Sequence, residues 1–417
     1  MKKLRFHREK GSVLLATMIF VLAIAAYMVN YLLLVQNSNQ NTARAQRWNS
    51  ALALAEAGIE EGLANLNTAA ISTSSNAISF PAISGRSLNG GFYSVSCSAA
   101  GVVSTITATG VVSAPISGQS IARVVQVTAQ RQALFSKGII SMTYIDMQGN
   151  SIASDSWNSQ DNSQSYYGHY TNSYSGTNGD VAAVDGYVNI GNQTISGDLY
   201  LGPNSTFAAG PNGEVSGTIY KDWNMQFGSV SVPVVDAAGN DITGLWTPAP
   251  GTSAGHAFTN SGYYIISDNG PITVTNGIKV ILDVRNPTDY KPTGLNIMGG
   301  TTNAGTVIMY QTTGTLTLGG GSAGGAINNR PENFQFFGGT NLTKITFSGS
   351  SDFVGVIYAP QADLKLDGGG SANNVMGSFL VKSLTMNGHY RIHYDTSLLG
   401  LYWGFFVAGT WQELSPP

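Results

Sequence analysis

Residues 11–35 read GSVLLATMIFVLAIAAYMVNYLLLV, and no residue from Gly11 to Ala43 carries a charge. A helix rises about 1.5 Å per residue, so the apolar run from Val13 to Val35 would cross a hydrocarbon core of about 30 Å. Lys2, Lys3, Arg5, Arg8 and Lys10 precede the run, whereas Gln36, Asn37, Ser38 and Asn39 follow it. The positive-inside rule therefore puts the N-terminus in the cytoplasm, with everything after residue 36 exported. A cleaved secretory signal has an apolar region of only about 7 to 15 residues, shorter than this one. A plain signal anchor fits the hydropathy equally well. A buried core helix does not suit an uncharged run of this length.

The helical pattern continues beyond the membrane. Trp48, Leu52, Ala55, Ile59, Leu63 and Leu66 recur at spacings of four and three, which predicts one packing stripe, while Arg47, Glu56, Glu60 and Glu61 lie mostly elsewhere. Gly58 and Gly62 each weaken a helix by up to about 1 kcal/mol relative to alanine, which close packing against a sheet would explain.

With Gly11-Ser12 before the apolar run and Ala51-Leu52-Ala53-Leu54-Ala55-Glu56-Ala57-Gly58-Ile59-Glu60-Glu61-Gly62-Leu63 after it, the N-terminus resembles the class III signal of type IV pilins and type II secretion pseudopilins. Within that group it looks most like minor pilins of the PilX kind and the related large minor pseudopilin, over about residues 5 to 67. The resemblance implies that prepilin peptidase cuts between Gly11 and Ser12. It also implies that Val13, Ala16, Phe20, Leu32 and Val35 lie on the membrane and assembly helix, and that other pilin-like subunits are the partners. Two positions depart from the major-pilin pattern: Ser12 stands where phenylalanine is usual, and Ala16 where glutamate is usual. A buried glutamate in lipid is costly unless paired. Its absence resembles the tip-located minor subunit, which has no neighbour above it.

After Asn67 a Ser-, Ala-, Asn- and Thr-rich loop gives way to period-two runs, Phe92 to Cys97, Ser104 to Thr109 and Arg123 to Ala129, with Gly and Pro turns between them. They predict three or four antiparallel strands that take the helix stripe as their missing layer. Cys97 is the single cysteine, which excludes an intrachain disulfide and reads as a small strand residue.

Beyond Phe135, short β-branched runs alternate with Gly, Asn, Ser and Thr turns. Ile195-Ser196-Gly197-Asp198-Leu199-Tyr200 recurs 20 positions later as Val215-Ser216-Gly217-Thr218-Ile219-Tyr220. Val354-Gly355-Val356-Ile357-Tyr358 and Leu364-Lys365-Leu366 are echoed by Met376-Gly377-Ser378-Phe379-Leu380 and Leu384-Thr385-Met386. Such spacings suit one coil of a right-handed parallel β-helix, and a β-sandwich head is the alternative. Residues 270 to 400 also resemble a C-terminal β-helical domain of uncharacterised function that accompanies PilX-like N-termini. Leu398 to Val407 is too short to span a bilayer and is expected to cap the final coil. The expected organisation is a basic leader at 1–11, a transmembrane helix at 12–67, a small pilin-like sheet at 68–135 and a β-helical head at 136–417.

No enzyme signature, cofactor motif or metal-ligand spacing stands out. No Asp-Asp pair or Asn-Thr-Asp run supplies the two carboxyl groups of glycoside hydrolysis. Asp363 and Asp367 read as turn residues, and His389 and His393 as turn or core residues. Residues 146 to 185 hold Asp155, Asp161 and Asp180 with Trp157, Tyr166, Tyr167, Tyr170 and Tyr174, without a calcium-loop spacing, a composition that suits either a solvated insertion held by its own tyrosines or contact with carbohydrate or another surface. A net charge of -3 with no basic stripe excludes a nucleic-acid footprint. The expectation is a non-enzymatic minor pilin-like subunit held in the bacterial inner membrane and then assembled at the cell surface. The alternative is a signal-anchored β-helix protein that binds or cleaves polysaccharide.

Overall fold

The computed structural model describes residues 12–71, 78–100, 103–114, 118–131, 133–147, 149, 153–225, 227–234, 236, 240–286, 288–299, 303–319, 330–348, 352–368, 373–401 and 406–415. They fall into two compact units. One long helix, α1 (Ser12–Ile71), belongs to the first, together with strands β1 (Ile83–Leu88), β2 (Gly91–Ala100), β3 (Val103–Ser113) and β4 (Ser120–Arg131). These strands form an antiparallel meander, and the alternating burial along β3 is the period-two pattern turned into two faces.

The second half of α1 covers that sheet with only part of the predicted stripe, Ala55, Ile59 and Leu66. The buried residues are Ala51, Leu54, Ala55, Ile59 and Leu66 with Gly58 and Gly62, whereas Trp48 is exposed and Leu52 and Leu63 are only half-buried. Backbone proximity is the reason. A Cβ on Gly110 of β3 would collide with the Ala51 carbonyl oxygen, and one on Gly62 would come within 2.7 Å of Ile106. Small helix residues are required where the backbones come closest, at Ala51, Gly58 and Gly62, while Trp48, Leu52 and Leu63 stay at the rim. Trp48 finds a rim partner instead, the Arg123 guanidinium 4.3 Å above its ring.

The last strand corrects the predicted boundary of the head at 136–417. Phe406–Leu414 does not cap a coil; it adds to the first sheet as the neighbour of β4. Thr128 with Thr410 and Gln126 with Gln412 are bonded side-chain pairs that run in opposite directions along the two strands. Phe406 is buried, and its N–H donates to Asn67 Oδ1 at 2.6 Å near the end of α1. Trp403 and Phe405 lie outside the described residues.

The second unit is mostly β and its ladders are parallel. Val181–Ala183, Tyr187–Asn189 and Thr194–Ile195 pair in turn with Leu199–Leu201, Thr206–Ala208 and Glu214–Val215, and Ile219–Tyr220 pairs with Leu199–Leu201. Ile195 opposes Val215 and Leu199 opposes Ile219, the partners that the sequence repeat implies. A second series, Lys279–Val284, Thr306–Gly319, Phe334–Ser348, Phe353–Asp367 and Asn373–Met386, also pairs in parallel from each strand to the next. The two series join through passes distant in sequence: Asn373–Met386 lies on Ile139–Met147, and Tyr390–Asp395 on Ala153–Trp157. The first pass of this unit is therefore in the middle of the ladder, and the chain grows away from it before returning from the far end.

Alternation sorts one strand position per pass inward and the next outward. Leu282, Met309, Phe336, Ile357, Phe379, Ile139, Val181 and Leu199 form a continuous inner column. Their chain neighbours Tyr310, Phe337, Tyr358, Leu380, Ile140, Ala182 and Tyr200 form an outer one. Trp223, Phe227, Val230 and Val232, on the segment that carries the chain to the far end, pack against this outer column, and the Tyr358 hydroxyl donates to Gly228 O at 2.7 Å.

Candidate functional site

Gly11 lies outside the described residues, and Ser12 opens α1. Among the described residues, none in the first half of the helix is buried: Val13, Ala16, Phe20 and Leu32 are exposed, Phe20 at 71%, and Val35 is half-buried. Its polar groups are satisfied locally, Thr17 Oγ1 donating to Leu14 O at 2.9 Å and Asn30 Nδ2 to Ala26 O at 2.8 Å. A helix that closes its own hydrogen bonds is what a hydrocarbon environment demands. By length and composition α1 is able to cross a membrane. The second half joins the sheet through Ile59 of the predicted stripe, with Trp48, Leu52 and Leu63 at the rim.

In the second unit the fold assembles a cluster that spacing did not reveal. Asp155 and His393 are register partners on adjacent passes, and His393 Nδ1 lies 2.5 Å from Asp155 Oδ1. Tyr170 donates to Asp155 Oδ2 at 2.6 Å, and Ser175 donates to the same oxygen at 2.7 Å. The Tyr170 ring stacks on His393 at 3.6 Å and meets Trp157 edge-on. On the other side, His393 Nε2 reaches Asn374 Oδ1 at 3.0 Å while Asn374 Nδ2 donates to Asp352. Burial, then the bond to Asp155, pushes the Tyr170 phenol up. Next to this cluster Asp395 is fully buried, its Oδ1 accepting from the backbone N–H groups of Ser159 and Ser397 at 3.0 Å. Burial holds its carboxyl above the ordinary range.

The cluster closes a loop rather than opening a cleft. Both oxygens of Asp155 and both ring nitrogens of His393 are engaged, and Tyr170 and Ser175 tether residues 158–178 to the ladder. Nothing in the sequence pairs residues 238 positions apart, so this contact was not legible there. His393 is a core residue as expected and His389 is half-buried. Asp363 and Asp367 are strand residues, not turn residues: Ser383 donates to Asp363, and Lys365 and Asn387 hold Asp367. Asp180 binds Lys137, whose ammonium lies over the Tyr200 ring. Cys97 is half-buried in β2, where burial raises its thiol. Among the described residues, no group of three or more His, Cys, Asp or Glu is placed to hold a metal.

Residues 228–401 match a domain of unknown function, DUF7305. That stretch starts on the segment that packs along the outer column and ends before the C-terminal strand. No curated protein matches the sequence. Among solved structures, the competence-associated pilin ComZ from Thermus thermophilus is similar over 88% of this chain and 98% of that chain, at 10% identity and a TM-score of 0.22. A superposition that loose carries no argument about fold or activity.

Proposed function

We infer that the chain is a minor pilin-like subunit of the PilX kind, held in the inner membrane by Val13 to Val35 and then assembled into a type IV pilus or pseudopilus. The observation that carries this reading is the division of α1. Among the described residues its first half is apolar with no buried side chain, and its second half is fixed to an antiparallel sheet by the close approach at Gly58, Gly62 and Gly110. A rigid protein body joined to a bare apolar helix can trade lipid for the helices of neighbouring subunits. Ala16, without a carboxylate, suits a rare or terminal subunit. The second unit is then the exposed head, a right-handed parallel β-helix for assembly priming, adhesion or surface contact. The parallel registers, which repeat about every 18 to 22 residues in its regular parts, support that form. We read the head as non-enzymatic, because the Asp155–His393 cluster spends its polar atoms on holding a loop.

Co-expression with a prepilin peptidase, followed by N-terminal sequencing, tests the reading. The mature chain is expected to start at Ser12; a chain from membranes that still starts at Met1 in the presence of active peptidase overturns it.

A further inference from the structure

We propose that the hairpin tip at Tyr166 and Tyr167 binds a neutral polysaccharide, with sugar rings stacked on the two phenol rings and their hydroxyls bonded to the surrounding amides. The proposal rests on the reading of the head as an exported contact surface. Tyr166 is 57% exposed and Tyr167 69%, and their rings meet edge-to-face at 5.0 Å. Core packing does not explain two such rings on the surface. The turn makes their presence more pointed. Tyr166 and His169 exchange backbone bonds of 2.9 and 3.0 Å, and Tyr167 (φ 50) and Gly168 (φ 82) are both left-handed. A two-residue turn of that kind favours Asn-Gly or Gly-Gly, so an aromatic side chain at its first position is held against its backbone preference.

The tip is also rigid before any ligand arrives. Ser165 is buried, donates to Asp161 O at 2.8 Å and accepts from the Gly168 N–H. Tyr170 and Ser175 fix the base of the loop to Asp155, and Ser156 bridges to Gly176 and Asn178. An ordered aromatic pair loses little freedom on binding.

Chemistry selects the ligand class. Residues 158–178 contain no Lys or Arg, so the loop itself offers no cation to an acidic polysaccharide, a nucleic acid or a lipid phosphate. The single carboxylate, Asp161, is occupied by Ser163 and Gln164. The same loop also exposes amides and hydroxyls, among them Asn162, Asn172, Ser173 and Asn178, together with His169. Rings with amides and hydroxyls match the C–H faces and hydroxyls of uncharged sugars.

The test uses the full chain in detergent micelles, with microcrystalline cellulose, chitin, starch and an array of neutral glycans as probes. At least one is expected to retain the protein, with no loss as ionic strength rises. Replacing both tyrosines, Tyr166→Ala with Tyr167→Ala, is expected to weaken binding about tenfold or more. Tyr167→Phe should keep it. Tyr167→Gly, which suits the left-handed turn and so preserves the fold, should weaken it. No retention by any probe, or full binding by the double variant with an unchanged circular dichroism spectrum, overturns the proposal. A chain that prepilin peptidase leaves uncut but that still binds through these tyrosines supports the site and rejects the pilin reading.

Discussion

Gly110 lies where α1 and β3 meet backbone to backbone, and the smallest side chain able to block that approach tests the helix–sheet contact. Gly110→Ala should cost about 1–3 kcal/mol through overpacking, read as a shift in the urea midpoint of the detergent-solubilised protein. Gly244→Ala, at a position whose added Cβ meets nothing within 4 Å, should be close to neutral. Asp395 offers a test by pH. Burial raises its carboxyl, so between the unfolded value of about 3.9 and the raised one the folded chain binds more protons than the unfolded chain. The contribution of this group is therefore largest at low pH and is lost as pH rises through the raised value. Asp395→Asn should flatten that slope in urea titrations at stepped pH. Asp268 works in the opposite sense. Burial pushes its carboxyl up, but the His256 side chain and the Gly270 N–H outweigh burial and hold it low. Its contribution is present above the unfolded value and lost as pH falls through the depressed one.

At the scale of elements, α1 is one helix with two environments, and its hydropathy announces only the first. The membrane half is legible because a bilayer selects composition alone. The packing half was legible in part: Ala55, Ile59 and Leu66 of the expected stripe are buried, whereas Trp48, Leu52 and Leu63 are not, because the closest approach to the sheet selects small residues. The run Ala51, Ala55, Gly58, Gly62 was the available signal. The 158–178 loop depends on one buried pair. Asp155→Ala leaves His393 Nδ1, the Tyr170 hydroxyl and the Ser175 hydroxyl without their shared partner, which should cost about 1–3 kcal/mol and make the loop the first site of limited proteolysis. Removal of residues 406–415 should lower the stability of the first unit, because it takes Glu413 from Arg123 and leaves the edge of β4 unpaired.

The whole molecule is an insertion. With Thr128 opposite Thr410, Arg131 and the start of the C-terminal strand are neighbours, so the second unit is inserted into the hairpin between them. Replacing residues 132–405 with a short Asn-Gly turn should leave a first unit that folds and is recovered from membranes, with antiparallel β and helical signals in its circular dichroism spectrum. Loss of recovery from membranes and of both signals would show that the inserted unit is needed for folding. The ladder of that unit is closed by passes that are first and last in its sequence, so a chain ended after residue 372 should fail to order 139–157, as amide exchange would show. Contacts this distant carry a large loop-closure cost before they stabilise anything.

Local patterns were sufficient for the membrane helix, the antiparallel strands near 92–129 and the 20-residue echoes at 195–220 and 354–386, because each depends on residues a few positions or one repeat apart. Tertiary structure alone decided three other things. The C-terminal strand belongs to the first sheet, the early and late passes of the second unit meet in the middle of its ladder, and Asp155 meets His393 across 238 positions. Backbone pairing is almost indifferent to side-chain identity, so a sequence shows which segments form strands far better than it shows which distant strand each one joins.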